Sequence, residues 1–358
     1  MSTLPSDITQ HKVRTARLEI AYLQAGRGSI PIVLVHGNCS SSIFFLDLML
    51  ALAATKEYTV YAPDMRGFGD SETLPVDATR GVRDYSDDLE SFAQALELTS
   101  FHLLGWSLGG NIVIQYAIDY PGRLRSLTLE APGSPFGFGG TRGAEGSLTC
   151  PDGAGSGGGM INPDFVKRLA QGDRGSDQAS PRTVLNAFYF KPPFRLPPDR
   201  EEIYLSGLLS TKVRPGNYPG DILPSAHWPR FAPGPRGVVN TVSPKYMNQG
   251  QFASISPKPP VLWVHGTDDP IISDMSLSDI GFLGQLGIVP GWPGMDIYPP
   301  QPMVTQTRLV LDNYQANGGN YREVTFTNCA HTAHVEKQAE FLKVFTAFVD
   351  ASESNQSL

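Results

Sequence analysis

The stretch Gly105-Trp106-Ser107-Leu108-Gly109 decides how this chain is read. The G-x-S-x-G pattern takes its meaning from its surroundings: Phe101 to Leu104 is a short apolar run that reads as a strand, and Asn111 to Asp119 has helical character. A strand turning sharply into a helix holds the intervening residue in a strained backbone conformation and brings neighbouring chain close on both sides. Glycines at the flanking positions remove the side chains that would clash. The helix that begins after Ser107 offers free N–H groups and the positive end of its dipole to a developing oxyanion. Serine is also a common helix cap, but the flanking glycines favour a nucleophile.

Upstream, Arg17 to Ala25 alternates as an edge strand would, and Ile30 to His36 reads as a buried strand ending in a His-Gly turn. Phe44 to Ala54 reads as a helix and Tyr58 to Pro63 as another buried strand. The glycine-punctuated loop Asp64 to Ser71 follows, read as a hydrogen-bonded turn bracing the sheet. In the helix expected over Asp84 to Leu98, Tyr85, Leu89, Phe92 and Leu96 fall at helical spacing. Downstream, Leu124 to Leu129 is again strand. Strands alternating with helices imply a mostly parallel central sheet flanked by helices, an α/β fold.

The alternation stops at Ala131 and resumes at Pro260, where Val261 to His265 forms one more apolar strand. The chain therefore divides into a first core part, 1–131, an inserted cap, 132–259, and a second core part, 260–358. Within the cap, Gly133 to Met160 is glycine-rich loop. Asn162-Pro163 and Ser180-Pro181 each resemble an N-cap followed by proline at the first helical position, and Glu201 to Leu209 could form a third helix. Pro215 to Pro260 is proline-rich with little periodicity, and the cap's apolar residues are too scattered for a core of their own. A lid loop is expected over 273–302, rich in Gly and Pro and carrying Phe282, Leu283, Leu286, Ile288 and Trp292. The chain closes with a helix near Val304 to Asn317, a strand at Glu323 to Thr327, a last helix from His334 to about Val349 and a polar tail ending at Leu358.

Composition narrows the function classes. The net charge of −7 comes with no block of Lys and Arg, which argues against a nucleic-acid partner. The three cysteines, Cys39, Cys150 and Cys329, lack the paired spacing of zinc sites or disulfide frameworks, which points to a reducing compartment. Met1 to Arg14 has no apolar stretch of signal-peptide length, and no later run approaches the roughly 20 apolar residues of a membrane span. A cytoplasmic protein without a membrane partner is expected.

A serine hydroxyl needs an oriented base. Of the seven histidines, His331 is best placed, after the last expected strand in Asn328-Cys329-Ala330-His331; His334, at a helix start, is the competitor. An acid belongs after the strand Val261 to His265, in Gly266-Thr267-Asp268-Asp269-Pro270, where one of the two aspartates would hold the imidazole and the other serve the turn. The turn after His36-Gly37 could offer the Asn38 N–H to an oxyanion, with the Leu108 N–H as second donor. Cys39 and Ser40 are read as lining.

With these positions in place, the chain resembles the α/β-hydrolase superfamily, in particular its capped serine esterases, lactonases and carbon–carbon bond hydrolases. The likeness covers Val13 to Ala131 and Pro260 to Val349. It rests on His36-Gly37, Asp64-Met65-Arg66-Gly67-Phe68-Gly69-Asp70-Ser71, Ser107 in its elbow, and Gly266-Thr267-Asp268-Asp269. In that family the acid lies three residues after the glycine matching Gly266, so the resemblance implies Asp269. It also implies a base preceded by glycine and followed five residues later by Glu. Here Glu336 fits, while Ala330 replaces the glycine and slightly tightens the backbone. Members with an epoxide- or haloalkane-opening nucleophile carry aspartate at the elbow, which Ser107 argues against.

The expected catalytic set is therefore Ser107, Asp269 and His331, with the Asn38 and Leu108 N–H groups as oxyanion hole and neither metal nor organic cofactor. A pocket lined by Phe44, Trp106, Phe136, Phe138, Trp292 and His334 would take a medium-sized hydrophobic ester or lactone. Carbon–carbon bond hydrolysis, amide hydrolysis, acyl transfer and perhydrolysis use the same triad, and a ligand receptor on the same scaffold is the reading from another class. A homodimer is compatible with the sequence.

Overall fold

The computed structural model describes residues 4–356. Its centre is an eight-stranded sheet. The chain enters through β1 (Ile8–Arg14), β2 (Glu19–Ala25) and β3 (Ile30–Val35), followed by α1 (Leu46–Ala53), β4 (Tyr58–Pro63) and α2 (Arg83–Ala95). Next come β5 (Phe101–Trp106), α3 (Leu108–Asp119) and β6 (Leu124–Glu130). A two-residue hairpin, β7 (Thr141–Arg142) with β8 (Ser147–Leu148), precedes α4 (Pro163–Ala170), α5 (Pro181–Val184), a π turn over Leu185–Tyr189, and α6 (Pro198–Leu209). A second small hairpin pairs β9 (Ile222–Pro224) with β10 (Phe231–Pro233). The sheet resumes with β11 (Val261–Gly266); α7 (Ile280–Gln285), α8 (Met303–Ala316), β12 (Tyr321–Phe326), α9 (Ala333–Glu336) and α10 (Gln338–Gln356) complete the chain.

The strand order is β1-β2-β4-β3-β5-β6-β11-β12. β2 runs antiparallel to both its neighbours, and every other pairing is parallel. The continuous apolar runs follow from this arrangement: a strand covered by helices on both faces must be apolar throughout, and β5 and β11 are buried at every residue.

Three expectations need correction. The strand at Arg17 to Ala25 is not the edge, because β1 pairs outside it. The sequence of β1 is mostly polar and its side chains mostly exposed, so hydrophobic patterning gave no signal. The last helix is broken at Lys337 into α9 and α10. Ala330 does not carry the strain of its loop; that falls to Asn328, with φ of 53°. The tail residue Leu358 lies outside the described residues.

The chain leaves the sheet after Glu130 and returns at Val261, on the strand next to β6. Both caps expected in the intervening segment form. The Asn162 side chain accepts from the Asp164 N–H at 2.9 Å and the Ser180 hydroxyl from the Thr183 N–H at 3.2 Å. Many apolar residues of this segment pack on the sheet rather than on one another. Phe165, Leu185, Tyr204, Leu205 and Leu208 join one continuous cluster with Phe44, Trp106 and the sheet. Among the described residues no helix is long and apolar enough to cross a membrane.

The loop over 64–71 is braced from two sides. The Asp64 carboxylate accepts from the N–H groups of Ser42 and Asp70, at 2.8 and 2.9 Å, and Arg66 makes a two-pronged contact with the buried Asp88 at 2.5 and 2.7 Å.

Candidate active site

Ser107 joins β5 to α3 with φ of 58° and ψ of −122°. This is the left-handed strain the five-residue motif implies, and a non-glycine residue tolerates it only where the surroundings over-determine it. Two close approaches do so. A Cβ on Gly109 would stand 2.2 Å from the Val35 carbonyl oxygen, and one on Gly37 would stand 2.8 Å from Cβ of Ser107. The Ser107 N–H donates to the Glu130 carbonyl at 2.9 Å, tying the turn to the end of β6. Ser107 is half-buried.

His331 and Asp269 meet although 62 residues separate them: Nδ1 of His331 lies 2.7 Å from Oδ2 of Asp269, with both side chains buried. The other oxygen of Asp269 accepts from the N–H groups of Ile271 and Ile272 at 2.8 and 2.9 Å. A carboxylate held by these donors presents an acceptor to the imidazole, so Nδ1 carries the proton and Nε2 is left as the basic nitrogen. Asp268, by contrast, faces outward and pairs with Lys191 at 2.6 Å.

His334, the competing base and expected pocket residue, is engaged at both nitrogens. Nδ1 lies 2.9 Å from each carboxylate oxygen of the fully buried Glu130, and Nε2 lies 3.1 Å from the Phe44 carbonyl oxygen. A carbonyl only accepts, so Nε2 must carry a proton and cannot act as a base. His334 is a packing residue whose partner, Glu130, the sequence reading did not single out.

The turn after β3 holds Asn38 and Cys39, the latter in the left-handed region with φ of 45°. The neighbouring His36 accepts the Met65 N–H on Nε2 at 3.0 Å, so its Nδ1 donates to the Gly37 carbonyl at 2.8 Å. Burial pushes the His36 imidazole down to about 4 and keeps it neutral. Leu108 opens α3, so its N–H is one of the first-turn donors that no helix carbonyl reaches. Cys39 and Ser40 are both buried, and Ser40 serves the turn by donating to the Gly37 carbonyl at 2.7 Å. Burial raises the Cys39 thiol to about 12.

Of the aromatic residues expected to line a pocket, Phe44 and Trp106 are wholly buried and stack with ring centres 5.3 Å apart. They support the site from within rather than line an opening. Trp106 also lies 5.5 Å from the His331 ring. Phe136 packs close to Gly146 and Gly250, and half-buried Phe138 bonds through its N–H to the Val242 carbonyl. Trp292 sits in a separate small cluster with Cys150, Ala154, Trp228 and Tyr298.

A second aromatic against the proposed base is Tyr189, with its ring edge-on to His331 at 6.1 Å. Sequence reading missed it, because an aromatic at the end of a short helix in an aperiodic segment carries no signal of what it packs on. A cavity of about 270 Å³, lined in part by Lys191, Phe194, Asn328 and Lys337, opens beside the His331 loop without including Ser107.

Comparisons with known proteins agree with this architecture. Residues 30–143 match the family described as alpha/beta hydrolase fold. A probable lysophospholipase, BODYGUARD 2 of Arabidopsis thaliana, is 32% identical over 105 residues, 28% of this chain and 22% of that protein. A (lyso)-N-acylphosphatidylethanolamine lipase of Bos taurus is 32% identical over 114 residues, 31% of this chain and 32% of that protein. The chain thus matches between about a fifth and a third of the length of these two relatives. Among solved structures, a bacterial membrane phospholipase A superposes with a TM-score of 0.61 at 21% identity, covering 97% of this chain and 87% of that one. An esterase from Exiguobacterium antarcticum gives 0.58 at 14% identity, covering 96% and 100%.

Proposed function

Since residues 30–143 match the alpha/beta hydrolase family and the chain has that fold, we propose that it is a serine hydrolase cleaving a carboxylic ester or lactone through an acyl-enzyme, with Ser107 as nucleophile, His331 as base and Asp269 as its orienting acid. The single observation that carries this reading is the 2.7 Å contact between His331 and Asp269 beside a strained serine elbow.

In the proposed cycle, Nε2 of His331 takes the Ser107 proton as Oγ attacks the substrate carbonyl, and the Asn38 and Leu108 N–H groups stabilise the tetrahedral oxyanion. The imidazolium, stabilised by Asp269, returns its proton to the leaving alcohol. Water activated by the same histidine then attacks the acyl-enzyme and releases the acid. No step calls for a metal or organic cofactor. The proposed substrate is a medium-sized hydrophobic ester or lactone; the similarity to a probable lysophospholipase, a lipase and an esterase supports the ester class.

The test is labelling by a fluorophosphonate probe and turnover of p-nitrophenyl esters of increasing acyl length, beside the Ser107→Ala variant. Labelling and turnover that vanish in the variant support the reading. Wild-type protein that neither labels nor turns over any ester sinks it and favours a receptor on the same scaffold.

A further inference from the structure

Residues 189–191, within the segment that interrupts the core, touch three of the four loops carrying the proposed catalytic groups, those of His331, Asp269 and Asn38. The Tyr189 carbonyl accepts from the Thr332 hydroxyl, next to His331. The Lys191 N–H donates to Glu336 at 2.8 Å, and the same carboxylate accepts from the Ala330 N–H at 2.8 Å. The Lys191 ammonium reaches Asp268, next to Asp269, at 2.6 Å and Asn328 at 3.1 Å. The third loop is the oxyanion turn, where the Tyr189 hydroxyl lies 3.0 Å from the Asn38 carbonyl oxygen and 3.3 Å from that of Cys39.

That last contact has chemical consequences. Cys39 holds a left-handed backbone, so the turn needs external support to keep one conformation. Tyr218 and Thr211 engage the Cys39 side chain, but the Tyr189 hydroxyl binds the backbone itself. The single hydroxyl proton, shared between these carbonyls, orients the peptide after Asn38, while the peptide before it, which carries the Asn38 N–H, is held at the Gly37 carbonyl by Ser40 and His36; together these anchors set the turn on either side of Asn38. Burial holds the Tyr189 hydroxyl far above its usual range, so it remains a donor at every working pH.

Resting on the serine-hydrolase reading above, we propose that Tyr189 is a positioning residue for the oxyanion hole: its hydroxyl holds the Asn38–Cys39 turn so that the Asn38 N–H points at the charge that develops during acylation. The inserted segment then completes the catalytic machinery rather than merely covering it.

The experiment compares wild type with Tyr189→Phe, which keeps the ring and removes one oxygen. Rates are normalised to fluorophosphonate-titrated sites, so that unfolded protein does not count. The readouts are kcat and KM for p-nitrophenyl butyrate and the inhibition constant of an alkyl trifluoromethyl ketone, whose serine adduct places an oxyanion in the hole. Losing an oxyanion donor outright lowers kcat by about 10²–10³-fold, so losing its support should lower kcat by about 10- to 100-fold. KM should stay within about twofold, and ketone binding should weaken by the same factor as kcat/KM. A kcat within about twofold of wild type overturns the proposal. So does a raised KM with unchanged kcat, which would make Tyr189 a substrate contact, or a lowered kcat with unaltered ketone binding. A wild type that shows neither turnover nor labelling overturns the hydrolase reading itself, and the Tyr189 proposal with it.

Discussion

The indole Nε1 of Trp106 donates to the backbone carbonyl of His331 at 2.8 Å, linking the residue before the proposed nucleophile to the proposed base across 225 residues of chain. The bond is buried and joins the end of β5 to the loop after β12, so it ties the His331 loop to the serine elbow. Trp106→Phe keeps the stacking on Phe44 and removes the donor, leaving the His331 carbonyl without it. A stability loss of about 1–3 kcal/mol is expected in urea unfolding. The kcat for an ester substrate should fall about tenfold or more, because sub-ångström misplacement of a base is expensive in rate.

The two neighbouring aspartates separate cleanly by partner, Asp269 on His331 and Asp268 on Lys191. Asp269→Asn should reduce kcat by about 10⁴-fold, because an amide at this position no longer enforces the tautomer in which Nε2 is basic. Asp268→Asn removes only a partly exposed pair with Lys191 and should change stability by less than about 1 kcal/mol. Steady-state kinetics on both variants decides whether the acid has been assigned to the right residue.

His331 and His334 should part in the opposite sense. His334→Leu leaves the wholly buried Glu130 carboxylate with the backbone N–H of residue 334 but without the imidazole, and should cost about 3–5 kcal/mol of stability. His331→Gln should abolish turnover while the denaturation midpoint moves far less. Equilibrium unfolding and active-site titration of the two variants, side by side, would expose an exchanged assignment.

His36 makes acid stability partly predictable. Its folded-state value of about 4 lies below the ordinary 6.5, so between those limits the unfolded chain binds a proton that the folded chain does not. Stability from this group is fully present above pH 6.5 and is lost as pH falls toward 4, by at most about 3 kcal/mol. His36→Asn should therefore lose less stability than wild type between pH 7.5 and pH 5, whatever the absolute stabilities. Equal losses in the two proteins would show that His36 protonates without penalty in the folded state.

How much of this was readable beforehand can be judged residue by residue. The elbow announced itself because its strain is local: only glycine fits where Gly109 meets Val35, so the constraint is written within five residues. The buried parallel strands were legible for a similar reason, since burial on both faces demands an unbroken apolar run. Asp269 and His331 could be nominated from chain order and loop position, but nothing local says that one reaches the other.

Only the tertiary structure decided the rest. β1 is a polar strand defined by its partner. His334 was separated from His331 by Glu130 and the Phe44 carbonyl, groups distant in sequence that occupy both its nitrogens. Tyr189 acquired its place from contacts to Asn38, Cys39 and Thr332, and Trp292 was removed from the site by packing on Tyr298 and Trp228. The amino-acid sequence fixes what its near neighbours must do, because backbone strain and periodic burial act over a few residues. Which distant side chain satisfies a buried donor or carboxylate depends on the three-dimensional path of the whole chain, and no local pattern records it.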